Sequence, residues 1–504
     1  MTATAYSVGL VGVDGTVVQV EAAVGGGLPR TILVGLPDAS LYEARDRCKA
    51  ASTASGYPWP DRLVTINLSP ATLPKSGSHY DLAIVAAVAV AQDKVPPDRT
   101  RGTVMLGELG LSGVVRPVRG LLPALLAAVE AGFQTAIVPA EQVTEAALVD
   151  GLTIFGVGSL HDLMDVLQGG PGVSASPSAP RRDEPDQHFP DFAEVSGQPE
   201  ARWALEVAAA GRHHVLLQGP PGVGKTMLAS RLPGILPPLT HTEALEVSAI
   251  HSLAGMAIEG LIHTPPFADP HRGASVAAVV GGGSRTIRPG AISLAHRGVL
   301  FLDEAPEFSP KVLESLRTPL ESGEVLIARA EARARFPARF QLVAAANPCP
   351  CGFWGSTRQQ CRCQPMSIRR YQERLSGPML DRIDIHQTLH QRSPGVMRRR
   401  AGGESSAVIA ARVVEARERQ ARRLRETPWS TNGELPGPLL RDLPTPHGLE
   451  LLEDALRKGQ LSPRGVDRVW KLSWTIADLA GSDVVSRQHL ATALAMRQDE
   501  AVAA

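Results

Sequence analysis

The stretch Gly219-Pro220-Pro221-Gly222-Val223-Gly224-Lys225-Thr226 decides the fold of this chain. Its spacing is G-x-x-x-x-G-K-[ST], in which the glycines let the backbone curl and aim several N–H groups at phosphate. In that pattern Lys225 neutralises the β- and γ-phosphates of a nucleotide, and the Thr226 hydroxyl is a ligand of Mg²⁺. An apolar strand is predicted before the loop at 214–218 and a helix after it at 227–232. This order of strand, loop and helix predicts a nucleotide-binding α/β core, and a glycine turn without a ligand is the alternative.

Two later strands carry polar residues that fit the same chemistry. The run Val299-Leu300-Phe301-Leu302-Asp303-Glu304 is an apolar strand that ends in two carboxylates. Asp303 would hold Mg²⁺, directly or through water, and Glu304 would polarise the attacking water. A third apolar strand at 340–346 leads to Asn347, which would orient that water or, because a proline follows it, serve only as a turn residue. Together the three motifs predict ATP hydrolysis.

Composition limits the class of protein without naming its substrate. The 504 residues are enough for two or three domains, and 51 basic residues balance 51 acidic ones, so any basic surface must be local. The start of the chain lacks a basic region followed by an apolar core, and the longest apolar run, 82–91, is too short to span a bilayer. Four of the five cysteines are bunched, unlike a secreted disulfide framework. We expect a cytoplasmic protein with no membrane contact.

Changes in composition along the chain predict its domains. We expect an α/β domain over 1–168, a Gly-, Pro- and Ser-rich linker over 169–190, the nucleotide-binding core over 191–395 and a mostly helical part over 396–504. Apolar patterns in the first domain predict strands at 17–21, 31–34 and 64–68 and helices at 40–54 and 81–91.

The first domain resembles the Lon-protease-like domain. The residues that carry this resemblance are Gly27-Leu28-Pro29, Val34-Gly35-Leu36-Pro37, Pro74-Lys75-Ser76-Gly77 and Gly107-Glu108-Leu109-Gly110-Leu111-Ser112-Gly113. Active members use a serine nucleophile activated by a lysine amine, and the resemblance places these two positions at His79 and Leu122. Lys75, Ser76 and Ser78 lie nearby but out of register. We therefore expect a scaffold without peptidase activity.

The core and the helical C-terminal part resemble the magnesium-chelatase-like AAA+ family of ComM or YifB type. The matching segments are Ala346-Asn347-Pro348-Cys349-Pro350-Cys351-Gly352, residues 375–384, Gly281-Gly282-Gly283, Arg288-Pro289-Gly290 and Ile292-Ser293-Leu294-Ala295-His296. Ala291 departs from the glutamate that is usual in the family. With the first domain, the resemblance covers nearly the whole chain. It implies an AAA+ P-loop α/β core, a helical C-terminal lid and a homo-oligomeric ring, commonly a hexamer, with ATP between subunits.

Two arginines match positions that contact nucleotide in this family. The resemblance places Arg382 where an arginine finger reaches a neighbour's γ-phosphate, whereas the alternative is an ion pair with Asp381 or Asp384 of its own subunit. Arg464 follows a serine that suits an N-cap and a proline that suits the first turn, so it opens a predicted helix over 466–479. That is the place of the lid's sensor-two arginine, and an ordinary solvated arginine is the alternative.

The clustered cysteines have the form Cys349-x-Cys351, nine residues, then Cys361-x-Cys363. Four thiolates suit tetrahedral Zn²⁺, although the C-x-C spacing differs from the common C-x₂-C. Four reduced thiols or a redox-labile pair are the alternatives. Cys48, alone in a predicted helix, is expected to be a packing residue.

Two predicted hairpins carry arginines that could follow a nucleic-acid backbone. The hairpin over 281–290 carries Arg285 and Arg288, and the hairpin over 325–336 carries Arg329, Arg333 and Arg335. In related helicase-type rings, hairpins at these places line the pore, where arginines would track phosphate without reading bases. A solvated hairpin face is the alternative for each. The arginines of the helix at 406–426 are partly offset by glutamates, so a surface helix explains them.

Three classes of function fit these motifs. The first is a ring motor acting on DNA, of the kind that drives branch migration in recombination, and the second is a protein-remodelling or metal-insertion motor like the chelatases. The third is a nucleotide-dependent scaffold without catalysis, which the intact Lys225, Asp303, Glu304 and Arg382 argue against. Chelatase subunits lack the Lon-like domain, so the full-length resemblance favours the first class.

Overall fold

The computed structural model describes residues 2–35, 39–73, 75, 77–170, 173–174, 189–283, 287–328, 333–356, 359–390 and 403–498. Most of the predicted linker, residues 396–402 at the start of the predicted helical part and three of the candidate residues lie outside these ranges. The three residues are Ser76, Arg285 and Arg329.

The first part of the chain alternates strands and helices. Its strands are β1 (Thr2–Val11), β2 (Asp14–Gly25), β3 (Arg30–Val34), β4 (Leu63–Ser69), β5 (Thr103–Met105), β6 (Glu108–Leu109), β7 (Val115–Arg116), β8 (Thr135–Pro139), β9 (Thr153–Val157) and β10 (Val173–Ser174). Its helices are α1 (Ala39–Ala54), α2 (Asp81–Ala91), α3 (Leu121–Glu130), α4 (Val143–Ala146) and α5 (Leu160–Gln168). The strands and helices predicted for this part are confirmed, with bounds that differ by a residue or two except for β2, which is longer at both ends.

Most of these strands form one mixed sheet with helices on both faces. Among the described residues its order is β10-β9-β8-β5-β1-β2-β4-β3, with β1, β2 and β4 paired antiparallel. Val18 and Val20 of β2 point into the cluster that contains α2, whereas Val8 of β1 points into the cluster that contains α3. The helix α2 is almost wholly apolar because it lies buried between this sheet and α1 and α5.

The middle of the chain contains the predicted nucleotide-binding motifs. Its strands are β11 (Val215–Gln218), β12 (Phe267–Ala268), β13 (Gly281–Gly282), β14 (Arg288–Pro289), β15 (Val299–Leu302), β16 (Glu324–Ala328), β17 (Arg333–Pro337), β18 (Gln341–Ala346) and β19 (Ile385–Thr388). Its helices are α6 (Pro199–Gly211), α7 (Lys225–Ala229), α8 (His241–Ala254), α9 (Val276–Val280), α10 (Ala291–Leu294), α11 (Pro310–Ser315), α12 (Pro319–Ser322), α13 (Pro365–Gln372) and α14 (Gly377–Leu380). The helix predicted over 227–232 is wrong in its bounds, because Pro233 enters a separate 3₁₀ turn at Leu232–Ile235.

A parallel sheet of order β12-β15-β18-β11-β19 forms the centre of this part. Its inner strands β15, β18 and β11 read as nearly continuous apolar runs because both of their faces are buried. In β11, Val215 and Leu217 join the cluster on one face and Leu216 joins the cluster on the other. The order places β18 between β15 and β11, so their carboxyl ends meet at one edge.

The last part of the chain is helical and packs on the parallel sheet. Its helices are α15 (Ser406–Arg423), α16 (Gly437–Leu440), α17 (Glu450–Arg457), α18 (Pro463–Leu479) and α19 (Arg487–Gln498). Apolar residues of α15, α18 and α19 share one core with α6 and β11. A buried ion pair between Arg468 and Asp384 (2.8 Å) joins α18 to the residue before β19. The result is an α/β protein with a helical C-terminal region, as predicted.

The first domain is packed against the middle part at two places. Apolar residues of α3 and α8 form one cluster, and there the Leu122 amide donates to the Ser252 hydroxyl (3.4 Å). At the second place Gly12, in the turn between β1 and β2, bridges to the Arg335 backbone of β17. Of the described helices, none combines the length and the apolar character needed to cross a bilayer.

Candidate functional site

The predicted nucleotide motifs meet at one edge of the parallel sheet. The loop 219–224 follows β11, Asn347 follows β18, and Asp303 and Glu304 follow β15. Since these three strands are adjacent and parallel, the chain brings residues from distant segments into one pocket.

The backbone of the loop depends on glycine at two positions. Gly219 has φ of 156°, and a Cβ atom there would lie 2.6 Å from the Leu389 carbonyl oxygen. Gly224 has φ of 99° and stands immediately before α7, where a residue with a side chain would be strained. The motif therefore requires these glycines for its shape.

Lys225 connects the loop to the end of β18. Its side chain is only 8% exposed, and its Nζ donates to the carbonyl oxygens of Gly219 (2.7 Å) and Pro220 (3.1 Å) and to Asn347 Oδ1 (2.9 Å). Burial lowers the pKa of this amine, while the negative charges of Asp303 and Glu304 oppose that shift. The amine thus sits where a phosphate group could replace neutral oxygens as its acceptor.

Thr226 and Asp303 bring oxygen ligands together. The Thr226 hydroxyl donates to Asp303 Oδ2 (2.8 Å), and the Glu304 amide donates to Asp303 Oδ1 (2.9 Å). Hydroxyl and carboxylate oxygens are the ligands that Mg²⁺ prefers, so this pair fits the ion that the motifs predict.

Glu304 has a partner that the sequence motifs did not reveal. Its carboxylate forms an ion pair with Arg272, in the segment between β12 and α9. Both side chains are largely exposed, and Glu304 itself has φ of 51°. No motif marks Arg272, because the contact joins segments that are far apart in sequence.

Arg382 and Arg464 lie together and share one carboxylate. Arg382 pairs with Glu321 of α12 (2.7 Å) and donates to the Pro378 carbonyl oxygen (2.6 Å), and Arg464 pairs with the same Glu321 oxygen (3.1 Å). Arg382 is buried, its Nε has no partner among the described residues, and Arg464 is 64% exposed. Glu321 is a residue that sequence reasoning missed.

Arg382 does form an ion pair within its own subunit, as the alternative expected, but its partner is Glu321 and not Asp381 or Asp384. Asp384 is buried with Arg468, and Asp381 accepts from the Ser462 hydroxyl (2.7 Å). Residues of the C-terminal part are thus the partners of both carboxylates, and Arg382 pairs with Glu321 of α12 instead.

The four clustered cysteines do come together. All four Sγ atoms lie within 4.8 Å of one another, with Cys349 at 3.4 Å from Cys351 and 3.7 Å from Cys361. Cys363 completes the group, and none of these four is in a disulfide. Cys48 is buried in α1, as expected of a packing residue.

The two arginine-bearing hairpins are neighbours. Arg288 in β14 and Arg333 and Arg335 in β17 are exposed. The hairpins lie against each other, since a Cβ atom added to Gly281 of β13 would lie 3.0 Å from Ile327 of β16. Arg335 also lies 3.6 Å from both Asp14 of the first domain and Glu324 of its own hairpin. Arg285 and Arg329 fall outside the described residues.

Among the described residues near the dyad positions of the first domain, no Ser–Lys pair is formed. Three backbone carbonyls hold the buried Lys75 amine, those of Gly35, Pro70 and Leu73. Ser78 instead donates to Glu108, His79 stacks on the neighbouring tyrosine, and Leu122 is buried in α3. The Lys75 and Ser78 side chains are thus engaged elsewhere, and Ser76 lies outside the described residues.

Comparison with known proteins covers the same three parts of the chain. Residues 20–142 match the family model described as subunit ChlI of Mg-chelatase, 191–397 match magnesium chelatase, subunit ChlI, and 403–497 match its C-terminal model. An uncharacterized protein of Mycobacterium tuberculosis is 51% identical over 98% of each chain. The uncharacterized protein YifB of Escherichia coli is 40% identical over 96% of this chain and 95% of its own. Competence protein ComM of Haemophilus influenzae is 39% identical over 98% of this chain and 97% of its own.

These full-length similarities agree with the P-loop, the acidic strand end and the parallel sheet. The chain belongs to the magnesium-chelatase-like AAA+ ATPase family, among full-length relatives that include YifB and ComM.

Proposed function

We propose that this protein is an ATP-hydrolysing ring motor that acts on DNA. The observation that carries the ATPase part is the meeting of Lys225, Thr226, Asp303, Glu304 and Asn347 at adjacent strand ends. Membership of the AAA+ family supports the same conclusion.

Each residue of the pocket has a separate task in this proposal. Lys225 exchanges its carbonyl acceptors for phosphate oxygens, and Thr226 and Asp303 hold Mg²⁺, which supplies positive charge against the phosphates. Asn347 orients the attacking water, and Glu304 accepts its proton once the Arg272 contact opens. Arg382, with Arg464 beside it, serves a neighbouring subunit's nucleotide in a ring of about six subunits.

The DNA part rests on the two adjacent hairpins. Exposed Arg288, Arg333 and Arg335 lie on hairpins that touch each other, which favours one surface over two unrelated ones. Asp14 and Glu324 partly offset the charge of Arg335, so Arg288 and Arg333 supply most of the positive charge of this surface. Such a surface would bind phosphate without reading sequence. A relative named competence protein ComM aligns with nearly the full length of this chain.

A chelatase-like motor for protein remodelling or metal insertion is the second candidate. The description of the matching family models favours it, because all three name a magnesium-chelatase subunit. In either case we assign the protein to the cytoplasm, the first domain over 1–168 to a non-peptidase scaffold and the cysteine cluster to Zn²⁺. The helical part over 396–504 acts as the lid.

Purified protein tests the ATPase directly. Lys225→Ala should lose nucleotide binding, whereas Glu304→Gln should bind ATP and hydrolyse it very slowly. The two variants differ because Lys225 binds phosphate and Glu304 accepts the proton of the attacking water. Glu307→Gln, an exposed carboxylate three residues further on, is the matched control and should keep wild-type turnover. Wild-type turnover in Glu304→Gln would remove that residue from the base position.

The choice between DNA and other substrates needs a second measurement. We expect ATPase to rise with single-stranded, duplex or branched DNA, and rings to appear by electron microscopy. Replacing Arg288, Arg333 and Arg335 together by Ala should weaken DNA binding, reduce its salt dependence and leave basal ATPase intact. A matched triple change in the C-terminal part at Arg425, Arg441 and Arg457, which are also exposed, should change none of these. An ATPase indifferent to every DNA form would favour the remodelling candidate.

A further inference from the structure

The cysteine cluster has the dimensions of a four-thiolate metal centre. Four sulfurs about 2.3 Å from one tetrahedral zinc ion lie about 3.8 Å from each other. Three of the distances here, Cys349–Cys351, Cys349–Cys361 and Cys351–Cys361, are 3.4, 3.7 and 3.6 Å. These distances are far longer than the ~2.05 Å of a disulfide, so the arrangement is that of ligands and not of a covalent pair.

Backbone N–H groups of the same loop point at the sulfurs. The Trp354 amide lies 3.3 Å from Cys349 Sγ, and the Cys363 amide lies 3.4 Å from Cys361 Sγ. Hydrogen bonds of this kind stabilise negative charge on sulfur, which is the form that binds a metal. The loop therefore places backbone donors on two of the four sulfurs.

The cysteine loop also touches the nucleotide pocket at two points. Cys349 stands two residues after Asn347, whose side chain accepts from Lys225. Gly352 has φ of 83°, and a Cβ atom on it would lie 2.4 Å from Pro221 Cδ in the phosphate-binding loop. The cluster thus connects the end of β18 to the loop after β11.

We propose that Cys349, Cys351, Cys361 and Cys363 bind one structural Zn²⁺, and that this ion fixes Asn347 and supports Pro221 in the shape needed to bind ATP. Binding forms four Zn–S bonds and releases the protons of those thiols that were not yet ionised, with no change of oxidation state. The zinc site itself stands on the sulfur geometry alone. Its effect on ATP binding rests on the proposed ATPase function.

The first test measures metal and thiols in the full-length protein. Elemental analysis should find about one zinc per chain in wild type and in Cys48→Ser, the matched control outside the cluster, and much less in Cys361→Ser. Replacement by Co²⁺ should give the visible absorption bands of tetrahedral thiolate coordination. A purified, reduced wild-type protein that holds no zinc and shows no such bands with Co²⁺ would overturn the site, as would a disulfide in the cluster under reducing conditions.

The second test separates the ion from its effect on the pocket. Gly352→Ala should keep full zinc content but lose several-fold in affinity for a fluorescent ATP analogue, because its Cβ displaces Pro221. Gly355→Ala is the control: its φ of 76° gives a backbone strain like that at Gly352, but open space surrounds it, so zinc and affinity should both be kept. Unchanged affinity in Gly352→Ala would overturn the link to the pocket. A zinc-loaded wild type that binds no nucleotide would refute the ATPase proposal and leave the zinc site standing.

Discussion

At the scale of single residues, the contact between Glu304 and Arg272 bears most directly on catalysis. A carboxylate that is held by a guanidinium is not free to accept a proton from water. Since both side chains are largely exposed, such an ion pair is worth at most about 1 kcal/mol and can open readily. The pocket therefore resembles a resting state whose base is occupied.

Replacing Arg272 by Ala should raise basal ATP turnover by about two- to fivefold, because the free energy of opening the pair is no longer required. Affinity for ATP should stay the same, since Arg272 contacts neither Lys225 nor Thr226 within the described residues. Steady-state kinetics would show the change in kcat. The control is Arg374→Ala, which removes a similar exposed pair with the neighbouring Glu307. A fall in kcat for the Arg272 variant would mean that Arg272 assists Glu304 instead.

At the scale of secondary-structure elements, the side chain of His296 holds several of them together. His296 lies just before β15 and contacts α8 and the segment between β17 and β18. Its Nδ1 accepts from the Arg339 amide (3.0 Å), between β17 and β18, and its Nε2 donates to Glu246 of α8 (3.1 Å). Burial lowers the pKa of His296 to about 4, with the Glu246 carboxylate opposing that shift and Arg297 and Arg212 adding to it. The imidazole is thus neutral in the folded protein.

This predicts a loss of stability in weak acid. The folded pKa of about 4 lies below the unfolded value of about 6.5, so the unfolded chain binds more protons between these two pH values. Stability is intact above about pH 6.5 and falls by roughly 3 kcal/mol for this group as the pH drops to about 4. The His296 hydrogen bond holds the pKa of Glu246 at about 2. The stability that the ionised Glu246 carboxylate contributes would therefore be lost only at lower pH.

Denaturant unfolding at several pH values would measure this effect. His296→Asn, which keeps an acceptor near the Nδ1 position but does not titrate, should be less stable at neutral pH and vary less across the window. His241→Asn, on the exposed start of α8, should follow the wild-type curve. Burial also lowers the pKa of His214 and of His386 to about 4, so wild type and His296→Asn should differ only by the contribution of His296. Equal pH dependence in the two proteins would rule out that contribution.

Sequence was sufficient for elements whose apolar pattern is continuous, and insufficient for contacts between them. The strands before Gly219 and Asp303 were predictable because parallel strands are buried on both faces. Glu321 could not be predicted as the partner of Arg382, because the nearer carboxylates are taken by helices folded from later in the chain. The contact of Gly352 with Pro221 was equally invisible, since φ and close approach are properties of the folded loop.

At the scale of the whole molecule, the two candidate nucleotide arginines lie side by side on Glu321. Arg382 and Arg464 come from different parts of the chain, and neither contacts Lys225, Asp303 or Glu304 among the described residues. The proposal that these arginines serve a nucleotide therefore calls for the nucleotide of a second subunit. The ring proposed for the family gives that arrangement.

Mixing two inactive variants should restore part of the ATPase. Lys225→Ala cannot hold ATP but keeps its arginines, whereas Arg382→Ala holds ATP but lacks the finger. In a mixed ring, an Arg382→Ala subunit beside a Lys225→Ala subunit has one complete site. Turnover of the mixture should exceed that of either variant alone, and Lys225→Ala mixed with Glu304→Gln, both defective in the same half-site, should show no gain. No recovery in the first mixture would place Arg382 in a role within its own subunit.

The bridge between Gly12 and Arg335 limits which sequence changes the two domains can accept during evolution. Gly12 has φ of 68°, and a Cβ atom on it would lie 2.5 Å from the Arg335 carbonyl oxygen, so any other residue would push the hairpin away. A turn in the first domain is therefore constrained by a strand that is encoded more than 300 codons later. The two domains cannot drift independently at this point, and a chimera that exchanges the first domain between relatives should succeed only where the donor also brings glycine to this turn.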